Sequence, residues 1–274
     1  MKLLIATDME GISGVVFGEH VDPAHPEYQR FRRLLTEDIN AVIAGAAAGG
    51  ADEFLVTDGH WNSTNILIEA LDPRAVLNCG TPSPLSMVDG VDQGVDAALF
   101  IGYHARAGTA FAIHDHTWSG VRVLDVRLND RLVGEFGLNA AVCSQFNVPV
   151  IMVSGDQAAC AEGREWVPGV ETAQVKTALG RYSAACLPLE QARAILRETA
   201  ERAVRKLAAG QAPAPLAVAH PIRMQVAFHY TIMADSAALL PGATRLDGRT
   251  IAYESADMVS AYRSFRAAVS LAKV

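Results

Sequence analysis

The sequence predicts an α/β protein: a mostly parallel, doubly wound sheet flanked by helices, with a smaller C-terminal α/β lobe. Three observations lead there. Apolar runs without alternation, such as residues 3–6, "DAALFIGYHA" and "VPVIMVSGD", read as strands covered on both faces. Segments of helical spacing fall between them, the order expected of a parallel sheet with crossover helices. Several of the runs also end on a titratable residue, at the carboxyl ends of strands where open α/β sheets place their sites.

In chain order, Leu3, Leu4, Ile5 and Ala6 form the first strand, and Asp8 and Glu10 sit where it runs out, with Gly11 and Gly14 behind them. Residues 27–48 have helical spacing, with Tyr28, Phe31, Leu35, Ile39, Val42 and Ile43 on one side, and stop at Gly49-Gly50. "EFLVTDGH" is a second strand closing on Asp58 and His60. A short helix is expected after it, capped by Ser63 or Thr64. "AVLNCG" is a third strand and "DAALFIGYHA" a fourth. "VRVLDVRLNDRLVGE" alternates around Asn129-Asp130 and reads as a hairpin. "GEFGLNAAVCSQF" is a helix, and "VPVIMVSGD" a buried strand whose Asp156 serves as an N-cap. A long helix over 188–209 leads into an Ala- and Pro-rich connector, "AAGQAPAPLAVAHP". "IRMQVAFHY", "TIAYES" and a terminal helix from Ala256 make the small lobe. The expected division is a main α/β domain over 1–210, which carries these strand ends, and a small α/β lobe over 216–274.

Composition narrows the function classes. Half of the 274 residues are hydrophobic and 19% are charged, enough apolar mass for a large core. A net charge of −7 argues against nucleic acid or an anionic membrane as the main partner. Cys79, Cys143, Cys160 and Cys186 are far apart without a C-x-x-C, the pattern of reduced and mostly buried thiols. The apolar run at the N-terminus is too short for a signal-peptide core. No apolar stretch approaches the roughly 18 residues of a membrane span. The expected compartment is the cytoplasm.

The titratable residues gather at the strand ends: Asp8 and Glu10 after the first, Asp58 and His60 after the second, His104 after "LFIGY", and Glu135 opening a helix. His114 and His116 lie between, in "HDHTWSG". Each has a plain structural reading. An acid at a strand end can be a cap or a solvated loop residue, His60 a loop histidine, His104 a satisfied core histidine, and Glu135 a first-turn acid favoured by the helix dipole. Asp58 is expected to orient His60. Taken together, two histidines and three carboxylates suit two divalent ions better than one. One carboxylate can bridge ions roughly 3.5–4 Å apart, and Asp8, short and at the strand terminus, is the natural bridge. Such a site polarises a carbonyl and activates water while a nearby histidine moves protons. "TDMEG" also invites comparison with the D-x-D loop of haloacid-dehalogenase phosphatases, but its second acid is Glu and the later Lys and acidic pair are missing.

"TDMEGISG", "DGHWN", "LFIGYHARAGT", "HTWSGV", "LNDRLVGEFGLNAAV" and "VPVIMVSGD", in this order and spacing, resemble the zinc D-aminopeptidases of the bacterial dipeptide-transport operon. The resemblance runs from residue 2 to about 178, and more weakly through the C-terminal lobe. It implies a binuclear zinc peptidase that removes N-terminal D-amino acids, typically D-Ala, from short peptides. Carried over by position, Asp8 bridges two Zn2+ ions, Glu10 and His104 complete one shell, and His60 and Glu135 the other. The catalytic histidine falls in "AIHDHTW", where one extra residue makes His114 and His116 compete; the His-Thr context favours His116. The resemblance also implies a decamer of two stacked pentameric rings, with the small lobe serving assembly and access. The rival readings are a metal-dependent amidase or esterase on the same scaffold, and a metal- or peptide-binding protein without turnover.

Overall fold

A computed structural model describes residues 1–273. β1 (Lys2–Thr7) leads into α1 (Tyr28–Ala48), followed by β2 (Glu53–Asp58), β3 (Ala75–Asn78) and β4 (Ala97–Ile101). The hairpin of β5 (Val123–Leu128) and β6 (Arg131–Leu132) precedes α2 (Glu135–Gln145), β7 (Val150–Asp156) and α3 (Gln157–Trp166). β8 (Glu171–Gly180) and β9 (Ser183–Cys186) form a second hairpin ahead of α4 (Leu189–Ala208). Then come β10 (Ile222–Phe228), α5 (Thr231–Ala237), β11 (Thr244–Arg245), β12 (Thr250–Ser255) and α6 (Met258–Leu271).

Seven strands form the main sheet in the order β3-β2-β1-β4-β7-β8-β9, parallel throughout except for β9. The apolar runs lack alternation because both faces are covered. Leu3 and Ile5 of β1 pack with α1 and α4 on one side, while Leu4 and Ala6 join the core beneath α2 and α6 on the other. This is the doubly wound arrangement expected. The order reverses at β1, whose neighbours are β2 and β4, so a crevice opens at their carboxyl ends. Asp8, His60 and His104 all follow those strands directly.

The second sheet, β11-β12-β10-β5-β6, is antiparallel. The lobe expected over 216–274 therefore does not stand alone: β10 pairs with β5, from Val226 against Val126. Alternation identifies 123–132 as a hairpin but does not say which sheet it joins. Long-range packing settles that, with Val123, Val126 and Leu128 buried in one core with Met224, Val226 and Phe228.

Two local expectations fail. No helix starts at Ser63 or Thr64; a single 3-10 turn appears at Ile68–Ala70. Asp58 accounts for this, because its carboxylate accepts from the Asn65 and Ile66 backbone N–H groups and holds the segment as a loop. Cys79 and Cys186 are exposed, and only Cys143 and Cys160 are buried. The residue pattern also misses β8, whose inward-facing alternation is broken by Lys176, a buried charge in a strand.

Candidate metal centre

The loop after β1 carries Asp8 and Glu10 against the start of the loop after β4. Gly11 donates its N–H to the Gly102 carbonyl at 2.7 Å. A Cβ on Gly11 would lie 2.0 Å from the Tyr103 carbonyl oxygen. Gly102 has φ +75, and a Cβ there would sit 2.3 Å from the Asp8 carbonyl oxygen. Only glycine allows the two loops to touch this closely. Lys176 holds the same loop from below: its buried ammonium donates to the carbonyls of Glu10 (2.6 Å), Ile12 (2.9 Å) and Val15 (2.8 Å).

Asp8, Glu10, His60, His104 and Glu135 converge, and all five are buried. Their donor atoms form two trios, Asp8 with Glu10 and His60, and Asp8 with His104 and Glu135. Asp8 belongs to both, with Oδ1 3.3 Å from His60 Nδ1 and Oδ2 3.3 Å from His104 Nε2. Glu10 Oε2 lies 3.1 Å from His60, and Glu135 Oε1 3.2 Å from His104. This pairing differs from the division of shells that the resemblance implies. Glu10 also groups with His104 and His116, so its carboxylate is within reach of either side.

The imidazoles are aimed by their outer nitrogens. His60 Nε2–H donates to the Val21 carbonyl at 2.9 Å, and His104 Nδ1–H to the Ala105 carbonyl at 3.0 Å. Each ring is thereby oriented so that its inner nitrogen faces the carboxylates and, once a cation displaces its proton, offers a lone pair there. Asp58 does not touch His60. It accepts from Asn65 Nδ2, which also donates to the His60 carbonyl, so it positions the loop rather than the ring.

Burial pushes the Asp8 carboxyl above its ordinary value, and the neighbouring Glu10 carboxylate pushes the same way. Glu10 is also raised by burial, but His60, His116 and His104 outweigh this and hold it well below the usual range. Glu135 is lowered too, with His104 prevailing over burial. Burial disfavours charge on His60 and His104, yet the facing carboxylates hold both well above ordinary histidine values. Such a cluster draws cations. Asp8 Oδ2, Glu10 Oε2 and His104 Nε2 are buried without a hydrogen-bond partner among the described residues. Three orphaned donor atoms in a mixed N/O set suit a divalent ion such as zinc.

The histidines of "AIHDHTW" diverge. His116 stacks on His104 with ring centroids 4.0 Å apart, and its Nε2 lies 3.7 Å from Glu135 Oε1 and 4.0 Å from Glu10 Oε1. Its Nδ1–H donates to the His114 carbonyl at 2.7 Å, leaving Nε2 as the free base nitrogen. His114 turns the other way, with Nε2–H on the Val16 carbonyl at 2.9 Å and its ring edge-on to Tyr182. Burial pulls its pKa down to about 4. Its φ of 49 and the 67 of Trp118 are left-handed, and this backbone kink turns the two side chains apart. Asp156 caps α3 as expected and also accepts from Ile113 N–H, fixing the start of this segment.

The family model for the peptidases M55, D-aminopeptidase, matches residues 1–267. The chain belongs to the D-aminopeptidase family. A D-aminopeptidase of Bacillus subtilis (strain 168) is 38% identical over 273 residues, covering 99% of this chain and 98% of that relative. A solved structure, the Zn-dependent D-aminopeptidase DppA from Bacillus subtilis, described as a self-compartmentalizing protease, superposes with a TM-score of 0.95. It is 37% identical, with coverage of 99% of this chain and 98% of that one. Sequence reasoning missed three groups that shape this family member's site: Lys176, the Val21 carbonyl and the Trp118 N–H, which donates to Glu135 Oε1 at 2.7 Å. Lys176 alone left a signal, as one of only four lysines in the chain.

Proposed function

We propose that this D-aminopeptidase family member is a zinc-dependent aminopeptidase that removes N-terminal D-amino acids, of the D-Ala type, from short peptides. Asp8, Glu10, His60, His104 and Glu135 would hold two zinc ions, Asp8 being the member common to both trios. The observation that carries this reading is the pair of trios meeting at Asp8, one carboxylate oxygen facing each histidine. Bound zinc supplies Lewis-acid polarisation of a substrate carbonyl and readier ionisation of water.

The chain's own residues do the rest. A cleft of about 700 Å³ opens onto Asp8, Glu10, His60, His116 and Glu135, a size that takes a small peptide. His116 Nε2 accepts a proton at the reacting centre and returns it to the leaving amine, a contribution of roughly 10²–10⁴-fold. The Trp118 N–H holds Glu135 in place, and the Val21 and Ala105 carbonyls hold the two imidazoles.

Elemental analysis of purified protein tests the reading: about two zinc ions per chain are expected, with activity lost on chelation and regained on adding zinc. One tight ion with full activity would sink the two-ion assignment. The solved relative is described as self-compartmentalizing, which supports self-assembly here, and we infer a ring-shaped homo-oligomer, a decamer of two pentamers. Exposed apolar side chains away from the cleft, such as Phe111 and Leu239, are available for such contacts. Light scattering that finds an active monomer of 29.2 kDa refutes it. We place the protein in the cytoplasm, where four free cysteines stay reduced. No helix among the described residues is long and apolar enough to cross a membrane.

A further inference from the structure

Two arginines line the cleft without a direct ion pair among the described residues, Arg122 on the loop after Trp118 and Arg263 on α6. Arg122 is half-buried and Arg263 exposed, and both line the cleft that holds Asp8, Glu10 and His116. Neither guanidinium has a side-chain hydrogen bond, nor a carboxylate within 4 Å, among the described residues. Arg266, one turn along α6 on the same face, differs: its terminal nitrogens are spent on the Ser83 and Pro84 carbonyls at 2.8 and 2.9 Å.

Packing fixes the backbone that carries each arginine relative to the candidate metal centre. Trp118, whose N–H binds Glu135, sets its ring edge-on to Tyr262 at 5.6 Å and to Phe265 at 5.4 Å. Those two aromatic residues flank Arg263 on α6. The same loop continues into Arg122, whose N–H donates to Ser119 and whose carbonyl accepts from His229 N–H. One loop thus spans from the reacting centre to Arg122, with α6 and its Arg263 as the opposite wall of the same cleft.

From this geometry we propose that Arg122 and Arg263 form a subsite for the C-terminal carboxylate of a short peptide substrate. The inference rests on the aminopeptidase reading. Guanidinium forks match carboxylates in a bidentate manner, and an unpaired arginine in a cleft is free to do so. A di- or tripeptide reaches about 7–11 Å in extended form, a scale that fits the cleft. With the scissile bond at the zinc ligands and the free carboxylate at the arginines, the subsite measures substrate length. A peptide lacking that carboxylate, or too long to place it, loses the contact. The lobe then contributes to specificity through Arg263, beyond assembly.

The test compares the dipeptide D-Ala-D-Ala with its C-terminal amide, with D-Ala p-nitroanilide as a probe that lacks the carboxylate. The wild-type protein is expected to favour the free acid over the amide by roughly 10–100-fold in kcat/KM, mainly through KM. Arg122→Gln and Arg263→Gln each shrink that ratio, their combination brings it close to one, and Arg122→Lys keeps part of it. Titration calorimetry with the same acid and amide on the His116→Ala protein, which keeps the cleft but turns over slowly, reads the preference in Kd. Equal kcat/KM in the wild-type protein together with equal Kd for acid and amide in His116→Ala, or an undiminished kcat/KM ratio in the double variant, overturns the subsite. Failure of the aminopeptidase reading shows separately, as a wild-type protein that hydrolyses none of the three compounds, and the calorimetric comparison then still decides the subsite.

Discussion

Replacing Lys176 by Met removes a charge that lies under the catalytic loop without touching the reacting centre. The ammonium donates to three carbonyls at 2.6–2.9 Å. The Ile12 carbonyl keeps a bond from Val15 N–H at 3.4 Å, while those of Glu10 and Val15 have no other donor among the described residues. Two orphaned buried carbonyls cost about 2 kcal/mol each, about 4 kcal/mol in all. Against this, burial pulls the Lys176 pKa from 10.5 down to about 8. That difference corresponds to about 3 kcal/mol spent keeping the ammonium charged inside, which Met does not incur. The net loss is about 1 kcal/mol, so Lys176→Met folds and melts only a few degrees lower. Its effect on the site is larger. Without the 2.6 Å anchor on its carbonyl, Glu10 shifts, and a misplacement of about 1 Å in a catalytic constellation costs on the order of 100-fold. Thermal melting, bound zinc and kcat/KM, measured on one preparation, test the reasoning. A variant with wild-type zinc and wild-type kcat/KM refutes the anchoring role; one that does not fold refutes the energy balance.

Asp8→Ala is expected to be the most damaging ligand change, because both trios lose their shared member; elemental analysis should find both ions weakened, whereas Glu135→Ala weakens one more than the other. His116→Ala is expected to lower kcat by roughly 10²–10⁴-fold while the zinc content stays unchanged. His114→Ala, whose ring faces Val16 and Tyr182, should be much milder, and the opposite ranking would place the catalytic base two residues earlier. His114 also sets an acid limit. Its folded pKa of about 4 lies below the ordinary 6.5, so the unfolded chain binds more protons between those values. Stability is full above pH 6.5 and falls as pH drops toward 4, by about 3 kcal/mol in total. His114→Gln keeps a donor for the Val16 carbonyl and should flatten the urea-unfolding free energy across that range. An unchanged pH slope would mean that other groups set the acid limit.

The sequence by itself determined five strands of the main sheet, β1 to β4 and β7, and where they end, but not the β8-β9 edge. Runs such as 3–6 and 150–153 are apolar at every position, which only a strand covered on both faces satisfies, and a carboxylate can follow such a run only where the strand leaves the core. That is why Asp8, Glu10, His60 and His104 were legible at the strand ends, with Glu135, at the opening of a helix, added as a fifth ligand. The tertiary structure decided what spacing along the chain cannot encode. It assigned the 123–132 hairpin to the second sheet, because which face of an alternating strand is buried depends on a partner about 100 residues away. It gave Asp58 to Asn65 and Ile66 and left His60 to the Val21 carbonyl, 39 residues earlier. It turned His116 toward the carboxylates and His114 away, through left-handed backbone at His114 that no side-chain periodicity reports. Lys176 shows the same limit most plainly. A lysine inside a strand reads as a solvated residue, and only its three carbonyl partners, more than 160 positions away in sequence, make burial of its charge tolerable.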